Sequence, residues 1–231
     1  MVLNDINEEG LEETTKMVKS KFGSEVLPIK ADVSIGDEVN QMRKKAFSTF
    51  DNIFVLVNNA GGGVSSFKNI LARTEEDWHK ILDINLKSQW LMAKAFCRKM
   101  KPQKFEPISG KVINMASIAG VRPEAQTPVY SIAKAGIIAL TKILAAQLAP
   151  KMTVNSIAPG YHITGLYNNS EQALKDAMEV QGIKTPLNRL GTVEDVSKVA
   201  VFLASPLSDF ITAQNIVVDG GVITVGVAAH L

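Results

Sequence analysis

Cysteine occurs once in this chain of 231 residues, at Cys97, so no intrachain disulfide or cysteine-built metal cluster can form and nothing calls for an oxidising compartment. Histidine is nearly as scarce. His79, His162 and His230 stand far apart without ligand spacing, and no metal is expected. A surplus of one charge is missing too: 25 basic and 23 acidic residues leave +2, with no long basic stripe to follow phosphates, which argues against a nucleic-acid partner. No apolar run approaches the ~20 residues that span a bilayer. The opening residues, with Asp5, Glu8 and Glu9, are unlike a secretory signal. A soluble, cytoplasmic protein without membrane association is therefore expected. Internal repeats and low-complexity linkers are also lacking, and a composition of 46% hydrophobic and 21% charged residues suits one substantial core, so a single domain over 1–231 is expected.

What is present alternates between strand and helix. Apolar, β-type runs occupy 1–6, 26–33, 53–57, 111–117, 153–158 and 215–219. Asn7 reads as a helix cap with Glu8 and Glu9 in the first turn, Leu11, Val18 and Phe22 as the buried face and Gly23 as the stop. Ser34 with Asp37, Thr74 with Asp77 and Thr192 with Asp195 have capping-box spacing. The helix after Thr74 should bend near Asn85 and continue to Met100, with Leu86, Trp90, Ala93 and Phe96 apolar. The continuous run at 53–57 reads as a parallel strand covered on both faces. The repeated units imply an α/β fold, a doubly wound and mostly parallel sheet with helices on both faces. Residues 135–149 are almost all small or apolar, so the outer face of that helix is expected to meet another subunit. The more polar 161–188 stretch is where a substrate lid would sit.

Chemistry concentrates between 111 and 149. Tyr130 and Lys134 are four apart, one helical turn, so their side chains share a face. An ammonium beside a phenol favours the phenolate and would lower its pKa from near ~10 toward a useful range. Ser117 ends the preceding strand, where open α/β sheets bind ligands, and its hydroxyl can hydrogen-bond a substrate oxygen. Tyr-x-x-x-Lys alone is a weak signal, since a core tyrosine with an exposed lysine one turn later gives the same string.

Taken together, Asp32-Val33, Asn58-Asn59-Ala60-Gly61, Asn85, Ser117, Tyr130-x-x-x-Lys134, Pro159-Gly160 and Val218-Asp219-Gly220-Gly221 resemble the short-chain dehydrogenase/reductase family, in order and spacing along essentially the whole chain. The resemblance implies a Rossmann-like fold and hydride transfer between a nicotinamide cofactor and a ketone or secondary alcohol. It implies Tyr130 as acid/base, Lys134 lowering its pKa and holding the nicotinamide ribose, Ser117 orienting the substrate oxygen, and Asn85 holding a water that links Lys134 to solvent. A helix-bend asparagine satisfying local backbone is the competing reading of Asn85. Asn59, Ala60 and Gly61 resemble the adenosine-side turn, Asp32 and Val33 the pair on the adenine, and Pro159, Gly160 and Thr164 the segment on the nicotinamide carboxamide. Asp5, at the end of a strand, would bind ribose hydroxyls and repel a 2′-phosphate, favouring NAD over NADP; an ordinary turn aspartate is the alternative. The family usually forms homodimers or homotetramers.

One part of the family pattern is not found. Its members begin with a strand, a glycine-rich turn that receives the pyrophosphate at a helix start, and a helix. That strand is central in a sheet of order 3-2-1-4-5-6-7. Here Met1 falls just before the family's second strand. The expectation is an amino-terminally truncated enzyme that binds NAD weakly or not at all, unless the β-like 222–227 segment of its own or a partner's tail fills the place. Two functions are thus in view: an NAD-linked oxidoreductase, and a cofactor-deficient family member with a structural or interaction role.

Overall fold

The computed structural model describes residues 1–62, 69–163 and 185–225, with Gln172, Lys175, Asp176 and Glu179. Among these, strands β1 (Val2–Asp5), β2 (Leu27–Lys30), β3 (Val55–Asn58), β4 (Gly110–Met115), β5 (Met152–Pro159) and β6 (Asn215–Val218) alternate with helices α1 (Glu8–Phe22), α2 (Gly36–Thr49), α3 (Glu75–Leu82), α4 (Ser88–Met100), α5 (Ile118–Val121), α6 (Pro128–Leu148) and α7 (Val193–Ala204). Every strand pair is parallel, as expected when helices make the crossovers. The sheet is in two pieces, β1-β2 and β3-β4-β5-β6. The split separates β1 and β2 from the other four strands.

One apolar core spans the split. Ile29 and Val33 pack with Val39, Met42 and Ala46 of α2, with Ala93, Phe96 and Met100 of α4, and with Leu56, Val112 and Val154 of β3, β4 and β5. Neighbouring strand residues point to opposite faces, so Ile113 and Ile157 turn away from this cluster and meet Leu203 of α7. Lys111, also on the α7 side, is buried, and its ammonium donates to the Ser205 carbonyl at 2.6 Å and lies 2.7 Å from an Asp209 carboxylate oxygen. This ties the segment after α7 to the strand.

Most helix ends follow their sequence signals. Asn7 Oδ1 accepts the Gly10 N–H, and Gly23 closes α1 at φ 61°. Thr74 Oγ1 accepts from Asp77, and Thr192 with Asp195 forms the reciprocal box. The helix after Thr74 is interrupted by a π-type turn, Asp83–Lys87, at Asn85, as a bend there requires.

Four expectations need correction. Ser34 does not cap α2. Its N–H and Oγ both donate to Asp32 Oδ1, and the helix starts from Ile35 with no side-chain cap. Phe22 is 72% exposed, and Thr15 takes the second buried place in α1. β3 is not covered on both faces, since Val57 is 45% exposed. Finally, among the described residues one segment is long and apolar enough by length and composition to cross a membrane: α6, 21 residues. Its inner face packs on the sheet through Ile137, against Ala116 and Ala158, and Lys134 is buried within it. A core helix passes the same test. Of the 222–227 segment, 222–225 forms turns rather than a strand, and 226–231 lies outside the described residues.

Candidate active site

β4 ends at Met115, and two residues later Ser117 starts α5 as its N-cap. Its Oγ accepts the Ala119 N–H at 3.2 Å, which leaves the hydroxyl proton to donate outward. α5 is short because it lies directly on α6: a Cβ at Gly120 would be 2.5 Å from the Lys134 carbonyl carbon. This contact brings Ser117 to Tyr130. Pro128 occupies the first turn of α6, where a missing N–H costs nothing, and places Tyr130 in that turn with Lys134 one turn on. Tyr130 is partly buried, and the Ser117 hydroxyl is close enough to its phenol to favour the charged form.

The electrostatics differ from the sequence expectation. The Tyr130 phenol is raised, not lowered. Burial dominates, the Ser117 hydroxyl pulls the other way, and the Glu124 carboxylate adds to the rise. Lys134 is itself pulled down to about 8 by burial. Its ammonium sits 5.4 Å from the centre of the Tyr130 ring and donates to the Met115 carbonyl at 2.8 Å. Desolvation penalises both charged forms, and the ammonium faces ring and carbonyl rather than the phenolic oxygen.

Asn85 is fully buried. Its Nδ2 donates to the Ile81 carbonyl, opening the π turn, and to the Gly62 carbonyl, while its Oδ1 accepts the Gly62 N–H. The side chain is thus engaged with backbone on both sides, as a helix-bend asparagine would be, and it fastens the turn after β3 to the helix. That turn carries Asn59, Ala60 and Gly61. Gly61 must be small, because a Cβ there would be 2.9 Å from Asn85 Oδ1 and 3.5 Å from Lys134 Nζ. Below it, buried Asn58 donates to Asn114, which donates to Thr141 of α6. This polar chain holds the ends of β3 and β4 under the site.

The remaining expected positions lie at the carboxyl ends of strands. Asp5 is exposed at the end of β1 and its Oδ1 accepts the Asn7 N–H. Asp32 follows β2, accepts from Ser34, and precedes buried Val33. Both carboxylates therefore also serve local turns. Pro159 ends β5, and Gly160 packs so closely that a Cβ would be 2.6 Å from that of Asp219. Asp219 in turn accepts from Gly221 and Ile223, making the Val218-Asp219-Gly220-Gly221 motif a structural turn. Thr164 and most of the proposed lid lie outside the described residues.

Comparison with known proteins decides what this arrangement belongs to. Residues 1–223 match the family model described as Enoyl-(Acyl carrier protein) reductase. The 3-oxoacyl-[acyl-carrier-protein] reductase FabG of Staphylococcus epidermidis is 37% identical over 211 residues, covering 91% of this chain and 82% of that protein. The chain belongs to the short-chain dehydrogenase/reductase family. FabG of Chlamydia pneumoniae is 38% identical over 202 residues, 87% of this chain and 77% of that one. Among solved structures, an NAD+-bound xylitol dehydrogenase matches with TM-score 0.84 and 29% identity over 95% of this chain and 88% of its own. A short-chain dehydrogenase/reductase of the glucose/ribitol dehydrogenase type from Brucella melitensis matches with TM-score 0.81 and 29% identity over 96% and 85%. As a short-chain dehydrogenase/reductase, the chain is an oxidoreductase that uses a nicotinamide cofactor on a ketone or alcohol. Its residues fit such a group at the nicotinamide end, where Lys134 and Tyr130 are side by side and Gly61 lets the loop backbone lie close against them. Among the described residues no glycine-rich turn opens a helix.

Sequence reasoning missed two members of this site. Glu124, between Ser117 and Tyr130, accepts hydrogen bonds from Thr127 Oγ1 and from Tyr161 Oη, just beyond Pro159-Gly160. The position of Glu124 between two recognised catalytic positions was the available signal. Its pairing with Tyr161 was not available, because 37 residues separate them.

Proposed function

We propose that this chain interconverts a ketone and a secondary alcohol with Tyr130 as the acid/base. The observation that carries the reading is the convergence of Ser117, Tyr130 and Lys134 through the α5–α6 contact. When bound, the cofactor gives or takes the hydride. In reduction, the raised pKa of Tyr130 keeps it a neutral phenol that donates its proton to the carbonyl oxygen. Ser117 donates a hydrogen bond to the same oxygen and stabilises charge developing on it. Lys134 is anchored by the Met115 carbonyl; with its remaining protons it would hold the nicotinamide ribose, and its positive charge would favour the phenolate that oxidation requires. Asn85 acts by holding the 61–62 turn against the helix. Asp32, Val33, Asn59, Ala60 and Gly61 would hold the adenosine side of the cofactor, and Pro159 and Gly160 the nicotinamide side.

NAD is favoured over NADP by the carboxylate of Asp5 at the carboxyl end of β1, which repels a 2′-phosphate. The test is kcat/KM with NADH and NADPH. The preference for NADH should relax in Asp5→Ala, whereas equal values for the unmutated chain would leave Asp5 as a turn residue only. The substrate is a small carbonyl or alcohol, handled in the cytoplasm by a homodimer or homotetramer that associates through the outer face of α6.

A further inference from the structure

A carboxylate sits on the segment that leads into the Tyr130 helix. The 122–127 segment joins α5 to α6, and within it the Glu124 N–H donates to Ser131 Oγ at 3.0 Å, fixing the residue beside the first turn of the Tyr130 helix. Its carboxylate is held at both oxygens. Thr127 Oγ1 donates to Oε2 at 3.4 Å, and Tyr161 Oη, from the loop after β5, donates to Oε1 at 3.3 Å. Glu124 therefore ties the segment before the Tyr130 helix to the loop after β5, and it is partly buried. Its charge is felt at that phenol, which it helps to raise. These hydrogen bonds leave lone pairs on both carboxylate oxygens.

We infer that Glu124, oriented by Tyr161, is a specificity-determining residue that accepts a hydrogen bond from a hydroxyl on the carbon next to the reacting one, so that the chain prefers α-hydroxy ketones and vicinal diols. A carboxylate rewards a neutral donor, repels an anionic substituent and gives nothing to a methylene. The chemistry is unchanged: an α-hydroxy ketone, NADH and a proton give the vicinal diol and NAD+, with the hydride going to the carbonyl carbon and the proton to its oxygen. The inference rests on the oxidoreductase reading of the same site.

The experiment measures kcat/KM of the full chain, with NADH and with NADPH, for 3-hydroxybutan-2-one, for butan-2-one, which lacks only the hydroxyl, and for acetoacetyl-coenzyme A. The hydroxy ketone should exceed butan-2-one by about 10- to 100-fold, and Glu124→Ala should bring the ratio close to one. Glu124→Gln, which keeps the size and one acceptor oxygen, should give an intermediate ratio. It also carries the test if the alanine variant does not fold by circular dichroism. An active chain with no preference for the hydroxy ketone, a preference for the thioester, or a ratio unchanged in the variants overturns the inference and leaves the oxidoreductase reading standing. No turnover of any carbonyl with either nucleotide overturns both.

Discussion

Lys134 shows how a single residue can be costly to the fold and useful to the site. Its pKa, pulled down to about 8 from 10.5, means that the folded chain binds this proton less tightly than the unfolded one. Below pH 8 both states are protonated and the full penalty of burying the ammonium is present. At about 1.4 kcal/mol per pH unit, that penalty is about 3 kcal/mol. Between pH 8 and 10.5 the unfolded state holds more of the proton, so this contribution to stability rises with pH and the penalty fades. Lys134→Met should therefore be inactive yet more stable than the unmutated chain at pH 7, by about 1–3 kcal/mol after allowing for the lost bond to the Met115 carbonyl. Its advantage should shrink as pH passes from 8 to 10.5. Denaturant unfolding of both proteins across that range checks the claim, and a variant less stable at pH 7 would contradict it. That Tyr130 and Lys134 share one helix face was legible from their spacing, and the resemblance singled out Ser117 beside them. The direction of the Tyr130 shift was not, because it depends on burial and on Glu124, which no local pattern encodes.

At the scale of elements, the short α5 is the device that assembles the site, since Gly120 lets its backbone rest on α6 at Lys134 and Ala135. A methyl at Gly120 meets backbone atoms rather than a side chain that can turn aside. Gly120→Ala should thus separate α5 from α6, cost about 1–3 kcal/mol of stability, and lower activity further by moving Ser117 from Tyr130. A melting temperature within a degree of the unmutated value would show that the contact is looser than described. Helix limits were readable where a side chain caps its own helix, as Asn7, Thr74 and Thr192 do. The reading failed at Ser34, where a neighbouring carboxylate, Asp32, captures the hydroxyl and the backbone N–H before the helix can. Phe22 failed for a different reason: helical periodicity assigns a residue to a face, but at the last turn of α1 nothing covers that face among the described residues.

The whole molecule keeps the strand-helix alternation read from the sequence, but places its strands in two hydrogen-bonded groups over one core. Periodicity reports which residues are apolar and cannot report which strand edges meet. The outer face of α6 exposes Ile132 and Ile143, and Trp90 of α4 is 44% exposed with Lys94 over its ring. Covering this surface favours association. Sedimentation at micromolar concentration should show a dimer or tetramer, and Ile143→Lys should shift it toward monomer; a monomer in the unmutated chain would contradict the expectation.

The central claim is that one phenol moves the proton, and turnover of Tyr130→Phe tests it most directly. Removing the oxygen leaves the ring that packs beside Lys134, so the fold should be unchanged while NADH oxidation with the best carbonyl falls by ~10²- to 10⁴-fold. A folded variant that retains most of kcat would contradict the account.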